Sequence, residues 1–263
     1  MSLQANIYFD IDKTLITEDF SFNINLDLVV NKIAETKKKG VLFHINSNRS
    51  LDTAMKYYSV FGFNGDVIFE NGSGILERKT NEVVTNIDLF DYDLLLELIK
   101  SENQTPLFVD VETELNQYKI KSGRDLDVMF IEKTRKYSAS LYLRKLHDGT
   151  FVAGDIRKIK YLMEKEFSHN YELKCNYVGG DLMLIHKNAS KMNFLTKDKG
   201  IICCFGDSET DFDMFELADY FGCPENSSKE TKHAVVNMGG EIMHNKYTFG
   251  SLEFINRVIS RYL

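Results

Sequence analysis

The sequence predicts an α/β fold in which a parallel-sheet core is interrupted by an inserted α+β domain. Apolar, strand-like runs alternate with helix-like segments over the first third of the chain, which is typical of a parallel sheet. In the middle third, residues 137–144 alternate apolar and polar side chains, as in an antiparallel sheet with one packed face. The α/β pattern resumes near residue 190, so the two ends are expected to form one discontinuous domain.

The first third reads as strand, helix, strand, helix, strand. Ile24, Leu28 and Ile33 recur at helical spacing, and Gly40 is a typical helix stop. The short apolar runs between helices are the predicted strands. The elements predicted here are a strand at 6–9, a helix at 24–39, a strand at 41–45, a helix from 51 to about 62 and a strand at 66–70.

The rest of the chain divides into the insertion and the second part of the core. We predict a core of residues 1–78 and 187–263, with an inserted domain at 79–186. The elements predicted in the insertion are a helix at about 88–102, strands at 105–111, 127–132 and 137–146, a helix at about 155–168, and strands at 171–177 and 181–186. Those predicted after it are a helix near 190–198, a strand at 201–205, and helices near 211–217, 228–236 and 250–262.

Composition excludes several classes of function. The 263 residues carry a net charge of −7, which gives no electrostatic footprint for nucleic acid or an anionic membrane. The sequence has no apolar signal segment and no apolar run of about 18 residues, so neither secretion nor membrane insertion is expected. Cys203 and Cys204 adjoin within an apolar stretch and read as buried small hydrophobic residues. We therefore expect a reduced, cytoplasmic protein, with its oligomeric state open.

The first strand ends in two carboxylates two residues apart, Asp10 and Asp12, followed by Thr14. Ligands of open α/β sheets bind at the carboxyl ends of the strands, where such groups converge on one cation. Asp10 could then hold a metal and attack an electrophile, while Asp12 carries a proton. The alternative is an acidic surface turn in which Thr14 caps the following segment.

Three later segments also follow, or lie close to, predicted core strands. Ser47 could cradle an anion together with nearby amides, although a serine there is more often a helix N-cap. Lys191 stands among many lysines and carries little weight alone. Asp207 and Asp211, in a Gly-Asp-Ser-x-x-Asp segment, would be costly to bury without a partner. An ordinary turn with an aspartate cap is the alternative there.

Taken together, these segments resemble the haloacid dehalogenase-like superfamily, which consists mainly of phosphohydrolases. Its D-x-D-x-T motif is matched by Asp10, Asp12 and Thr14, and its serine or threonine after a strand is matched by Ser47. Lys191 matches its lysine at the start of a later helix. The G-D-x-x-x-D motif is matched by Gly206, Asp207 and Asp211.

Within that superfamily the chain looks most like the Cof-type sugar-phosphatase group. The similarity rests on Ser47-Asn48-Arg49, on the Glu70-Asn71-Gly72 turn and on the large insertion, which would be the cap of a Rossmann-like core. The group often has glycine where this chain has Lys13 and Asn48, and commonly has asparagine at the position of Thr210. We therefore do not assume a typical substrate.

The resemblance implies a magnesium site and a role for each matched residue. Asp10 would be the nucleophile and Asp12 the acid and base. Mg²⁺ would be bound by Asp10, by the backbone carbonyl of Asp12 and by Asp207, while Asp211 orients neighbouring groups. The residues expected to contact the substrate are Ser47, Asn48, Arg49, Asn71 and Lys191, and weaker candidates in the insertion are Arg144, His147, Tyr177 and Asp181.

The predicted function is a magnesium-dependent phosphatase that hydrolyses small phosphorylated metabolites through an aspartyl-phosphate. Sugar phosphates are favoured over nucleotides and phosphorylated cofactors as substrates. A phosphomutase of the phosphomannomutase type would use the same residues and retain the phosphoryl group. A catalytically silent metabolite-binding protein is a third interpretation, against which the complete set of matched acidic and basic residues argues.

Overall fold

The computed structural model describes residues 5–102, 104–109, 126–147, 150–195 and 200–263. Contacts divide the chain into two compact units. The first consists of Met1–Asn86 and Ala189–Leu263, and the second of Ile87–Asn188. The chain thus leaves the first unit once and returns to it once.

The first unit contains a mixed sheet, with eight strands in the described part of the chain, in the order β14-β13-β12-β1-β2-β3-β4-β5. The pairings from β14 through β3 are parallel, whereas β4 pairs antiparallel with β3 and β5. The mixed α/β class and the parallel core predicted from the sequence are confirmed. Its strands are β1 (Ala5–Phe9), β2 (Leu42–Asn46), β3 (Val67–Phe69), β4 (Gly74–Glu77), β5 (Glu82–Thr85), β12 (Ile201–Phe205), β13 (Tyr220–Cys223) and β14 (Glu241–Ile242).

Helices cover both faces of this sheet, which explains why the central strands β1, β2 and β12 are buried along almost their whole length. In β12, Cys203 contributes to one apolar cluster and Cys204 to the other, since successive side chains point to opposite faces. α1, α2 and α7 contribute to the first cluster, and α5 and α6 to the second. The helices are α1 (Leu26–Lys37), α2 (Leu51–Phe61), α5 (Phe212–Leu217), α6 (Lys229–Asn237) and α7 (Tyr247–Tyr262).

Local sequence signals fix the ends of the helices next to the central strands. Asn25 caps α1 by accepting a hydrogen bond from the amide of Asp27, and Ser50 caps α2 by accepting from the amide of Thr53. Gly62 ends α2 with a left-handed φ of 65°, as expected for a C-terminal glycine. These caps place the ends of α1 and α2 close to where the sequence predicts them.

The second unit is α+β. Its sheet has the order β10-β11-β8-β7-β6, with β9 paired to β8, and all pairings except the parallel β6–β7 pair are antiparallel. Apolar residues of α3 and α4 share one buried cluster with residues of this sheet. The elements are α3 (Tyr92–Ser101), β6 (Thr105–Val109), β7 (Leu126–Glu132), β8 (Ala139–His147), β9 (Thr150–Ala153), α4 (Arg157–Phe167), β10 (Tyr171–Asn176) and β11 (Asp181–His186).

The helix predicted near residues 190–198 is wrong over its first part. Residues 191–194 form turns, with the amide of Asn193 donating to the carbonyl of Ser190 over 3.0 Å. Residues 196–199 lie outside the described part of the chain. This turn carries Lys191, one of the candidate site residues.

Candidate active site

Three neighbouring strands end at the candidate site. Strands β12, β1 and β2 lie side by side and run parallel, so their carboxyl ends meet at one edge of the sheet. Asp10 directly follows β1, Ser47 directly follows β2, and Asp207 follows β12 after one glycine. The amide of Asp10 donates to the carbonyl of Phe205 over 3.0 Å, which extends the ladder to the aspartate. The fold therefore brings together residues almost two hundred positions apart.

Lys191 is buried between two of the carboxylates. Its Nζ donates to Oδ1 of Asp10 over 2.7 Å and to Oδ1 of Asp211 over 2.5 Å. The lysine side chain is 1% exposed, and an ammonium at that depth is stable only when it is paired. The matched lysine and the first matched aspartate are thus in direct contact.

An acidic cluster surrounds this ammonium. Asp10, Asp207 and Asp211 each offer a carboxylate oxygen within 4.8 Å of the others. Oδ1 of Asp211 accepts from Lys191 and its Oδ2 accepts from the amide of Ser208 over 3.0 Å. Asp211 is thus occupied in orienting its neighbours. Carboxylate oxygens are the ligands that hard divalent cations prefer, so this donor set fits Mg²⁺.

Burial and mutual repulsion shift the pKa values of these groups. Burial raises the pKa of Asp10 to about 7 against the opposing charge of Lys191. Burial, together with the charges of Asp10 and Asp211, raises the pKa of Asp207 to about 8. Burial alone would lower the pKa of Lys191, but Asp10 and Asp211 raise it above its ordinary value. A divalent cation would favour the ionised carboxylates.

Asp12 is held in a different way from Asp10. Arg49 binds it with both arms of the guanidinium, from Nε to Oδ2 over 2.8 Å and from Nη2 to Oδ1 over 2.7 Å. The guanidinium carbon lies 5.4 Å from the ring centre of Phe20 and 4.9 Å from that of Tyr57. The Asp12 side chain is 47% exposed, so a solvent-accessible carboxylate is fixed by a largely buried arginine.

The segment after β2 lies against the turn after β3. Ser47 is buried, and its Oγ accepts from the amide of Arg49 over 3.3 Å. The amide of Asn71 donates to the carbonyl of Ser47 over 3.1 Å. Oδ1 of the buried Asn71 has no hydrogen-bond partner among the described residues, and Asn48 is half-buried. Asn71 Oδ1 is therefore a buried acceptor without a donor among the described residues.

Sequence reasoning assigned no role to two residues that contact the Lys191 segment, although Gly72 belongs to the turn named above. Asn46, the last residue of β2, donates from Nδ2 to the backbone carbonyl of Lys191 over 2.6 Å. Gly72 lies so close to Ser190 that a Cβ added to it would be 1.8 Å from the Ser190 carbonyl oxygen. A polar residue at the end of a buried strand was the available signal for Asn46. The sequence around Gly72 and around Ser190 gives no indication that the two residues lie close together.

The weaker candidates in the second unit have mainly structural partners. Arg144 forms an ion pair with Asp181 over 2.9 Å and donates to the carbonyl of Gly179 over 2.6 Å, which ties β8 to the turn before β11. Tyr177 is exposed in that turn. The side chain of His147 lies outside the described part of the chain.

Comparison with known proteins identifies the family. Residues 7–241 match the haloacid dehalogenase-like hydrolase family. The chain belongs to this family. A phosphoglycolate phosphatase of Sulfolobus acidocaldarius is 25% identical over 97% of this chain and 96% of its own length. A second, from Thermoplasma volcanium, is 23% identical over 87% of this chain and 88% of its own length.

The fold also agrees with the family. A haloacid dehalogenase-like hydrolase from Bacteroides thetaiotaomicron has a TM-score of 0.69 at 15% identity, over 96% of this chain and 98% of that one. The resemblance drawn from the motifs is therefore confirmed, and the chain is a haloacid dehalogenase-like hydrolase. No helix in the described ranges is long and apolar enough to cross a bilayer.

Proposed function

We propose that this hydrolase is a magnesium-dependent phosphatase that acts on small phosphorylated metabolites through an aspartyl-phosphate. The contact of Lys191 with Asp10 inside the acidic cluster carries the proposal. Three ionised carboxylates and one ammonium sum to a formal charge of −2, which a divalent cation would offset. Such a site suits phosphoryl transfer, where most catalysis comes from positioning and charge stabilisation.

Mg²⁺ would be held by Asp10, the backbone carbonyl of Asp12 and Asp207. When bound, it supplies positive charge that reduces the repulsion between the nucleophile and the phosphate. Asp211 would keep Lys191 oriented, because both of its oxygens already accept hydrogen bonds.

In the first half-reaction, an oxygen of Asp10 attacks phosphorus while the bond to the leaving oxygen breaks. Asp12 gives its proton to that leaving oxygen, so that an alcohol departs. Lys191 offsets the charge of Asp10, and Ser47 with nearby amides would hold the nonbridging phosphate oxygens. Asn48, Arg49 and Asn71 are the remaining proposed contacts.

In the second half-reaction, water attacks the phosphorus of the aspartyl-phosphate. Asp12, now ionised, takes a proton from the water, and the bond between phosphorus and the Asp10 oxygen breaks. Inorganic phosphate leaves, and both aspartates return to their starting states. The bidentate contact with Arg49 fixes the orientation of this solvent-accessible carboxylate.

The substrate class is proposed from two directions. The motifs favour sugar phosphates, and the two phosphoglycolate phosphatases among the relatives support a small phosphorylated hydroxy acid.

We propose that residues 79–186 act as a cap domain that selects the leaving group. Cytoplasmic location is likewise a proposal, supported by four cysteines that are all free.

A phosphate-release screen tests the function. Phosphoglycolate, sugar phosphates, nucleotides and phosphorylated vitamins are each incubated with Mg²⁺ and with a chelator. We expect magnesium-dependent release from at least one small monoester. No release from any of them contradicts the phosphatase, and formation of an isomer without phosphate release indicates a mutase.

A further inference from the structure

A left-handed turn adjoins the candidate site. Glu70, Asn71 and Gly72 have φ values of 47°, 58° and 82°, so three successive residues lie in a region that L-residues other than glycine rarely occupy. A conformation of this kind persists only where its surroundings enforce it. The contacts of this turn therefore show which neighbouring segments hold it in this conformation.

One side of the turn is tied to the segment that follows β2. The amide of Glu70 donates to the carbonyl of Arg49 over 2.8 Å, and that of Asn71 donates to the carbonyl of Ser47 over 3.1 Å. Ser73 Oγ closes the turn by donating to the carbonyl of Glu70 over 2.7 Å. Residues 70 and 71 are thereby attached to the end of the central strand β2.

The other side of the turn meets the segment that carries Lys191. Gly72 presses against the carbonyl of Ser190, and a Cβ there would lie 1.8 Å from the oxygen. Asn193 Nδ2 donates in return to the carbonyl of Gly72 over 3.1 Å. Because backbone meets backbone here, neither partner can move aside as a flexible side chain would.

Asn46, the last residue of β2, also contacts the segment that carries Lys191. It is completely buried, and its Nδ2 donates to the carbonyl of Lys191 over 2.6 Å. A buried carbonyl left without a donor would be costly, so this bond favours one position of the Lys191 backbone. The ammonium of the same residue is bonded to Asp10 and Asp211.

We propose that Asn46 and Gly72 are positioning residues that hold the backbone at Ser190 and Lys191 so that the lysine ammonium meets Asp10 and Asp211. The catalytic consequence rests on the proposed function, in which Lys191 offsets charge during phosphoryl transfer. Asn46 and Gly72 do not touch the reacting atoms in this role. They act through the place that they give to Lys191.

The position of Lys191 can be measured without enzyme activity. The full-length protein is acetylated with an amine-reactive ester, and the rate at each lysine is followed by mass spectrometry. In Asn46→Leu, which keeps the side-chain volume, and in Gly72→Ala, we expect the rate at Lys191 to rise about tenfold or more, because local opening becomes easier. The rate at Lys232, a partly exposed lysine paired with Glu225, should stay unchanged.

Gly62→Ala is the matched control for Gly72→Ala. Gly62 has a left-handed φ of 65°, but no atom lies within 4 Å of an added Cβ. Gly62→Ala therefore introduces a similar backbone strain to Gly72→Ala, but no clash with Ser190. Equal labelling of Lys191 in Gly62→Ala and in both test variants would overturn the proposal. If Gly72→Ala also raises labelling at Lys232, the protein has opened globally and Asn46→Leu decides.

Kinetic measurements distinguish a positioning role for Asn46 and Gly72 from a general loss of structure. We expect each test variant to lower kcat/KM for an aryl phosphate about 10–100-fold, as loss of a supporting residue commonly does. In a Lys191→Ala background the same changes should cost less than about twofold, because they act through the missing ammonium. Equal losses in both backgrounds would contradict the catalytic role. If the unaltered protein hydrolyses no phosphate monoester, the proposed function fails, while the labelling still decides whether the backbone is held.

Discussion

At the scale of single residues, two aspartates of one motif have different partners. Asp10 is buried against an ammonium, whereas Asp12 is half-exposed and bound by both arms of a guanidinium. A planar guanidinium fixes the orientation of a carboxylate, whereas an ammonium acts as a point charge. The two carboxylates for which we propose nucleophilic attack and proton transfer are thus held in different ways.

The nucleophile assignment predicts the effect of Asp10→Asn. The amide cannot form the aspartyl-phosphate, so we expect kcat to fall at least about 10³-fold, as loss of a catalytic nucleophile does. Phosphate release from the best substrate of the screen measures it, with Asp27→Asn in the first turn of α1 as a control. Retention of full activity by Asp10→Asn would exclude the covalent route.

The contact between Arg49 and Asp12 predicts a dependence on the leaving group. Lysine cannot form the bidentate contact, so Arg49→Lys should orient Asp12 poorly. We expect single-turnover phosphorylation by an alkyl phosphate to slow about tenfold more than phosphorylation by p-nitrophenyl phosphate, whose leaving group needs no proton. Arg78→Lys is the control, because Arg78 also stacks on a tyrosine. Equal slowing with both substrates would argue against this role.

At the scale of elements, the strands that position the site were the easiest to predict. β1 and β12 are short apolar runs ended by polar residues, and the structure places them as neighbours. The four outer strands β4, β5, β13 and β14 of the first sheet were missed, as was β9 in the second. They have two to four residues each, which is too short for a periodic hydrophobic pattern, and β5 is in addition exposed throughout.

The turn that follows β1 has a strained residue. Lys13 has a φ of 55°, at a position where the similar group often has glycine. The preference for glycine there has a plain physical cause, since a left-handed residue with a Cβ costs about 1 kcal/mol or more.

We therefore expect Lys13→Gly to raise the free energy of unfolding by about 1 kcal/mol relative to Lys13→Ala. The alanine variant removes the same charge but keeps the Cβ, so the comparison isolates the backbone. Denaturant unfolding with both variants measures the difference. Equal stability would mean that the turn relaxes without cost.

At the scale of the whole molecule, the acidic cluster links stability to pH. Burial raises the pKa of Asp10 to about 7 and that of Asp207 to about 8, above the ordinary value of 3.8. Between pH 3.8 and about pH 8, the folded state therefore holds protons that the unfolded state has already released. By proton linkage, these groups lower the stability of the metal-free protein as pH rises through that window.

Magnesium should reverse this trend, because it binds the ionised carboxylates. At a concentration 100 times its dissociation constant, a ligand of the folded state adds about 2.7 kcal/mol. We expect chelated protein to melt at a lower temperature at about pH 8.5 than at about pH 6.5, and Mg²⁺ to raise the midpoint more at the higher pH. Asp207→Asn should reduce both effects. A midpoint that does not respond to Mg²⁺ would argue against the metal site.

The family could be predicted from the sequence because its motifs lie at the ends of central strands. What could not be predicted is the support around Lys191. The contact between Gly72 and Ser190 joins segments far apart in sequence, and nothing in either segment announces it. The same limit applies to residues 191–194, where turns stand in place of the predicted helix.

Lys191 lies only two residues after Ala189, where the chain re-enters the first unit. Yet its described partners, Asp10, Asp211 and Asn46, all belong to that unit, as does Gly72 beside its neighbour Ser190. The long excursion of residues 87–188 thus supplies none of these anchors. Residues 87–188 could therefore change in length or sequence while these contacts of Lys191 stay the same, and under the proposed cap function substrate preference would change with them.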